Sequence, residues 1–322
     1  KRVGVNRLTV RKALSTLAAQ GLIESVPGKG WFAKRRKETA AISDQRKCVG
    51  IYGETLKYMH NSSFFCGFMN HLIENSGQRG LGLKLLPYGE LGTAPNISEE
   101  SECRHIIWMQ PEEHDAAAIH QLQKAGIQVV SALRELEDHS IPFVDIDQYA
   151  GAYELACRLT DAGHRRVGLI TIDNPLGYAL KREHACRDAL LETGSDLPES
   201  NILRVDPRTD WTKQAEEFLH KDITAVFLAG DSLHWIFFNL ILKLGYRIPT
   251  NISVAAFDEV KHPKFSNYIT SARQPLENAA ECLLDVAIKA ADSISIDPEI
   301  VTGKSVKRLT IHKNDKEIVN LT

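Results

Sequence analysis

No stretch of this 322-residue chain approaches the roughly 18 consecutive apolar residues of a membrane-spanning helix, and no leader pattern opens it. A protein of the cytoplasm, with no membrane partner, is expected. The chain begins at Lys1 rather than Met, so its first element is expected to be incomplete at the amino end. The six cysteines, Cys48, Cys66, Cys103, Cys157, Cys186 and Cys282, include no C-x-x-C pair. Neither a cysteine metal cluster nor a disulfide framework is expected from such spacing. Also missing are a G-x-S-x-G elbow, a phosphate-binding P-loop and an H-E-x-x-H helix, and the twelve histidines are scattered without ligand spacing. The expectation is a non-enzyme without cofactor or metal. His164 is the tempting base, but directly after Gly163 it reads as a strand-start histidine.

Charge of one sign is lacking overall, with 39 Lys and Arg against 41 Asp and Glu. The balance hides an asymmetry. Residues 1–37 hold ten bases (Lys1, Arg2, Arg7, Arg11, Lys12, Lys29, Lys34, Arg35, Arg36, Lys37) and one acid, Glu24. The remainder holds 39 − 10 = 29 bases and 41 − 1 = 40 acids. A small basic head on an acidic body is the footprint of nucleic acid bound at one end.

Residues 6–21 read as an amphipathic helix, with Asn6 as cap, Val10, Leu14 and Leu17 on one face and Gly21 at the end. Arg7, Thr9, Arg11 and Lys12 crowd its first turns. Leu22–Val26 and Trp31–Ala33 flank Pro27-Gly28-Lys29-Gly30 and predict a hairpin. A basic-tipped helix followed by a hairpin is a winged helix-turn-helix. The polar stretch at residues 35–47 reads as a tether whose basic start adds salt-sensitive affinity for phosphates.

From residue 48 onward strands and helices alternate. Strands are predicted at residues 83–86, 105–109, 128–131, 167–172, 225–228 and 253–257, with helices near 112–125, 178–192, 211–220, 232–244 and 276–291. Between them, residues 144–170 read as strand end, helix and strand, since Ala152, Leu155, Ala156 and Leu159 keep helical spacing and Gly163 ends the helix. The expected fold class is α/β, a doubly wound body with ligands at the carboxyl ends of its strands.

The runs R-x-T-V-R-K-A-L (residues 7–14), L-x-x-x-G-L-I-E (17–24) and G-K-G-x-F (28–32) resemble the DNA-binding head of GntR-family regulators. That likeness implies DNA contacts from Arg7, Thr9, Arg11 and Gly30, with Lys12 and Lys29 beside them. The body resembles the two-lobed effector region of LacI/GalR regulators, which is similar in fold to periplasmic sugar-binding proteins. Its markers are Asp147-x-x-x-Gly151, Gly163-His164-Arg165-Arg166-Val167, Arg182, Gly245-Tyr246-Arg247-Ile248-Pro249, Phe257-Asp258-Glu259 and Leu309-x-x-His312. The combination resembles arabinose-repressor-type regulators. The resemblance implies a winged head at 1–34, a linker at 35–47 and a two-lobed effector-binding and dimerising body at 48–322. It implies a repressor that binds operator DNA as a homodimer and answers to a mono- or disaccharide.

For the effector, the resemblance points to Arg182, a fork of fixed donors for vicinal hydroxyls, and to Asp258 as acceptor. Each has a plainer reading, as a surface helix residue and a loop cap. Asp231 matches the second member of an Asn-Asp pair, with Gly230 in place of the Asn, or else caps the next helix with Ser232. Trp211 stacks on a sugar ring or anchors its helix in the core. Asn61, Ser62, Ser63, Phe64 and Phe65 are expected by position to line the first lobe's side, with one of the two phenylalanines at the ligand and Phe65 the candidate. Asp147 reads first as a helix cap and second as a cleft residue. A solute-binding protein would share this whole body, but it would carry a secretory leader and no basic winged head.

Overall fold

The computed structural model describes residues 14, 23–26, 30–33, 48–89, 93–94, 103–173 and 177–309. The chain divides into two compact units, Lys1–Arg46 and Lys47–Thr322. In the first, β1 (Ile23–Val26) pairs antiparallel with β2 (Gly30–Ala33), with Val26 opposite Gly30. Leu14 is helical. The rest of the expected helix, with Arg7, Thr9, Arg11 and Lys12, lies outside the described residues, as do Lys29 and the tether.

The second unit is built from two six-stranded sheets. Lobe 1 opens with β3 (Cys48–Tyr52) and α1 (Ser63–Gln78), followed by β4 (Gly82–Leu85) and β5 (Cys103–Met109). It continues through α2 (Ala116–Lys124), β6 (Gln128–Ala132) and β7 (Phe143–Ile146). Lobe 2 takes α3 (Gln148–Asp161), β8 (Val167–Ile172), α4 (Gly177–Leu191), β9 (Ile202–Val205), α5 (Thr212–Leu219) and β10 (Ala225–Leu228). It ends with α6 (His234–Lys243), β11 (Ser253–Phe257) and β12 (Thr270–Arg273). The chain then returns to lobe 1 for α7 (Leu276–Lys289) and β13 (Ile294–Ile296), and closes in lobe 2 with β14 (Glu299–Val301).

Lobe 1 has the order β13-β7-β6-β5-β3-β4, parallel throughout. In lobe 2 the order is β14-β12-β11-β10-β8-β9, and only the β12–β14 pair is antiparallel. Parallel strands need crossovers, and each sheet is covered by helices on both faces. This explains the uninterrupted apolar runs such as Val167–Ile172. In both lobes strand order reverses beside the first strand, between β3 and β5 and between β8 and β10. Doubly wound sheets bind their ligands outside the carboxyl ends at that reversal.

Three crossings join the lobes: Ile146 to Gln148, Arg273 to Leu276, and Ile296 to Glu299. The first and third are tied by the Asp147 amide donating to the Ile296 carbonyl at 2.9 Å. Gly151 packs against the third, since a Cβ there would lie 2.6 Å from Pro298 Cγ and 3.1 Å from the Phe257 ring. The Asp147-x-x-x-Gly151 marker therefore joins a helix cap to a close approach of backbone and hinge.

The sequence did not foresee β9, β12, β13 or β14. These are strands of three or four residues, and the run Thr270-Ser271-Ala272-Arg273 of β12 has no large apolar residue. Two expected helices begin instead with 3-10 turns, Glu113–Asp115 before α2 and Asp231–Leu233 before α6.

Candidate functional site

A cleft of about 640 Å³ opens between the lobes. Ser63, Phe64 and Gly67 of α1 face Asp231, Asp258 and Glu259 of lobe 2, and Gln274 and Pro275 of the second crossing also line it. Asp258 and Asp231 follow the carboxyl ends of neighbouring strands, β11 and β10. Asp258 adopts a left-handed backbone at φ +71°, a region that aspartate enters more readily than most residues. The turn it makes there brings both carboxylate oxygens under the cleft.

Those oxygens belong to a continuous chain of hydrogen bonds. Ser63 Oγ, in lobe 1, donates to Asp231 Oδ2 at 2.8 Å, and the Asp231 amide donates to Asp258 Oδ2 at 3.0 Å. Gln274 Nε2 donates to Asp258 Oδ1. Gln148 Nε2 donates to Gln274 Oε1 at 3.2 Å. Arg182 then donates to Gln148 Oε1 from Nε at 3.0 Å and from Nη2 at 2.6 Å, while its Nη1 donates to the Ala229 carbonyl at 2.6 Å. Gln148 and Gln274 stand at the first and second crossings, so the chain runs from one lobe across the cleft floor into the hinge. A second interlobe contact sets Lys181 Nζ of α4 3.7 Å from Asp145 of β7. Burial raises the Asp145 carboxyl above its ordinary range, and Lys181 opposes that shift.

Arg182 is 4% exposed and Asp258 8%. Nη1 of the guanidinium lies 3.7 Å from Asp258 Oδ2, and the guanidinium stacks over the Phe257 ring at 3.7 Å. Burial raises the Asp258 carboxyl, and the adjacent guanidinium pulls it back toward the charged form. Burial lowers the Arg182 guanidinium from its very high ordinary value, with Asp258 holding it charged. Behind them His234 is also buried, which lowers its imidazole to about 4 and keeps it neutral.

Of the residues expected from sequence, Asp258 and Asp231 line the cleft. Arg182 lies beneath it, with Nε and Nη2 each donating to Gln148 and Nη1 to Ala229. Trp211 is fully buried in the apolar core of lobe 2, so it offers no ring face to the cleft. Phe64 lines the cleft and Phe65 does not; the two rings meet edge-on at 5.3 Å and both pack against the core of lobe 1. Asp147 caps α3, accepting from the Ala150 amide at 2.8 Å, and does not line the cleft. Gly30 begins β2. Among the described residues no group of three or more His, Cys, Asp or Glu is placed to hold a metal ion.

Ser63, expected by position on the lobe 1 side, does line the cleft. Sequence reasoning missed Gln148 and Gln274. Gln148 follows the Asp147 cap. Gln274 precedes a proline at the end of an unforeseen strand. Such positions carry no motif.

Two α/β lobes joined by three crossings around a polar cleft define a periplasmic-binding-protein-like body, and residues 156–306 match the family model described as "Periplasmic binding protein-like domain". Residues 1–33 match "Bacterial regulatory proteins, gntR family". The chain thus joins a stretch similar to the gntR-family head to a body similar to the periplasmic binding protein-like domain.

Among curated relatives, the HTH-type transcriptional regulator CelR of Thermobifida fusca is 28% identical over 162 residues, 48% of either chain, so the alignment spans about half that relative's length. The arabinose metabolism transcriptional repressor of Halalkalibacterium halodurans is 23% identical over 342 residues, 95% of this chain and 88% of that one. Among solved structures, a transcriptional regulator CelR–cellobiose complex superposes with a TM-score of 0.66 at 19% identity, covering 94% of this chain and 92% of that one. A LacI family transcriptional regulator from Enterococcus faecium with bound ribose gives 0.65 at 18% identity, covering 82% and 100%. At those identities the structural likeness is one of fold.

Proposed function

We propose that the protein is a DNA-binding transcription regulator of the repressor type, not an enzyme, acting in the cytoplasm as a homodimer under control of a small neutral saccharide bound between its lobes. The observation that carries this reading is the hydrogen-bonded chain from Ser63 through Asp231, Asp258, Gln274 and Gln148 to Arg182, which spans both lobes and two of the crossings. The gntR-type match of residues 1–33 supplies the reason to expect DNA, with Arg7, Thr9, Arg11 and Lys12 at the groove and Lys29 and Gly30 in the wing.

A ligand hydroxyl that accepts from Ser63 and donates to Asp231 would replace the direct bond between the lobes and change how they close. The ligand shifts that balance only by its differential affinity for the two arrangements. Six carboxylates line the cleft (Asp231, Asp258, Glu259, Glu277, Glu281 and Glu299), against the bases Lys261 and Arg273, which disfavours uronates and sugar phosphates and favours uncharged polyols. Two heads in a dimer would read half-sites a whole number of helical turns apart.

The test has two stages. A thermal-shift panel of neutral mono- and disaccharides is expected to give at least one sugar that raises the melting temperature, because a ligand of the native state stabilises it. Duplexes selected by the protein from a random pool are then run in gel shifts with and without that sugar, and the sugar is expected to change the bound fraction. Failure to select any duplex, with sugar binding intact, would turn the reading toward a plain solute-binding protein.

A further inference from the structure

We propose that Cys48 and Cys103 form a reversible thiol–disulfide site in lobe 1, oxidised by hydroperoxides. The two residues lie opposite each other on the neighbouring parallel strands β3 and β5, with their Sγ atoms 2.7 Å apart. The register slips by one residue between Cys48 and Val49, where Val49 pairs with His105. Cys103 rather than Arg104 therefore lies opposite Cys48, and two thiols stand side by side in place of a thiol and a guanidinium. Neighbouring strands run about 4.8 Å apart. That spacing falls inside the Cα separations of about 4.4–6.8 Å that a disulfide spans.

Access and placement support the same site. Cys48 is half-buried and Cys103 fully buried, so the first is open to a small oxidant and the second is shielded until its partner reacts. Elsewhere in the body Cys186 is fully buried and its thiol is pushed up to about 12 by burial, which keeps it protonated and unreactive. Cys48 opens the first strand of the body, at the amino ends of the strands. The cleft lies at their carboxyl ends, so the modification leaves the ligand-facing residues untouched.

The chemistry balances with hydrogen peroxide as oxidant. The Cys48 thiolate attacks one peroxide oxygen, the O–O bond breaks, hydroxide leaves and a sulfenic acid forms. The Cys103 sulfur then attacks the Cys48 sulfur, the S–O bond breaks and water departs with the thiol proton. The net change converts two thiols and one peroxide into one disulfide and two waters. A dithiol reductant reverses it.

The experiment treats the reduced full chain with equimolar hydrogen peroxide, counts thiols after denaturation and maps peptides without reduction. The expected result is loss of two of the six thiols. It also requires one cross-linked pair of peptides carrying Cys48 and Cys103, two hydrogen masses lighter than their sum, recovery of both thiols with dithiothreitol, and a protein that stays free of intermolecular links. Cys48→Ser and Cys103→Ser should each abolish the cross-link, and the wild-type map decides by itself if either variant folds poorly. Retention of all six thiols, a cross-link between other cysteines or between chains, or oxidation of Cys48 to a sulfinic acid would each overturn the proposal.

Discussion

Arg182 and Gln148 meet in a forked contact: Nε and Nη2 of the guanidinium both donate to Oε1 of the same side-chain amide, at 3.0 and 2.6 Å. This leaves the amide nitrogen of Gln148 pointing onward to Gln274. The orientation of one side-chain amide at the first crossing thus couples a lobe 2 helix to the second crossing. The guanidinium's two donors to Gln148 require the oxygen on that side, so the chain of bonds has a fixed direction.

Truncating Arg182 to Ala removes the charge that faces Asp258 and strips the partners from Gln148 Oε1 and the Ala229 carbonyl. Breaking a buried pair by removing one member costs about 3–5 kcal/mol. Urea unfolding of Arg182→Ala should show a loss of that order. Arg182→Lys, which keeps the charge but loses the planar fork, should recover only part of it. A loss within about 0.5 kcal/mol, the range of ordinary surface changes, would mean that the fork carries no structural weight.

Gly151 gives a sharper steric case. A methyl group there would meet Pro298 Cγ at 2.6 Å, and a proline ring at a lobe crossing has little freedom to move away. Gly151→Ala gains up to about 1 kcal/mol of helix propensity in α3. Overpacking typically costs about 1–3 kcal/mol. The net expectation is destabilisation, read as a lower melting temperature, and an unchanged or raised one would contradict the packing described.

How much of this was legible beforehand can be judged residue by residue. The long buried strands and amphipathic helices were, because their apolar periods are strong. Asp231 and Asp258 came from resemblance and do line the cleft. For one aromatic the spacing already held the answer: Trp211 leads the stripe Ala215, Phe218, Leu219, which buries it. Phe64 and Phe65 both keep helical spacing to the stripe Phe68, Met69, Leu72 and both pack on the lobe 1 core, so only the fold shows that Phe64 lines the cleft. Asp147 likewise had the three-residue spacing of a cap. What no local pattern could give was the pairing of Gln148 with Gln274 across 126 residues, since an amide's partners are set only when the three crossings come together.

His164, like the buried His234, contributes to the pH behaviour. It is fully buried, with Nδ1 2.9 Å from Thr224 Oγ1 and Nε2 3.1 Å from the Lys307 carbonyl, and a neutral ring protonated at Nε2 suits that carbonyl. Burial lowers its imidazole to about 4 from the ordinary 6.5. The unfolded chain binds a proton as pH falls through 6.5, whereas the native one does not until about 4, so stability falls across that window and levels off below it. At 1.36 kcal/mol per unit the contribution is on the order of 3 kcal/mol. Urea midpoints at pH 7 and pH 5 should differ in the wild type, and the difference should shrink in His164→Asn. An undiminished difference would assign the acid sensitivity to other groups.

The coupling between crossings is the property on which effector control would depend. Gln148→Ala frees two Arg182 donors and the Gln274 oxygen, and Gln274→Ala frees one Asp258 oxygen and the Gln148 amide nitrogen. Because both act on one connected network, their effects should not add. The cycle of two single variants and the double variant should give an interaction energy of about 0.5–3 kcal/mol. In the same set, a sugar found by thermal shift should raise the melting temperature less in each single variant than in the wild type, and the double variant should lose little more than the worse single one. Strict additivity in urea unfolding would show that the two crossings respond independently, and the hydrogen-bonded chain would then be a set of local contacts rather than a link between cleft and hinge.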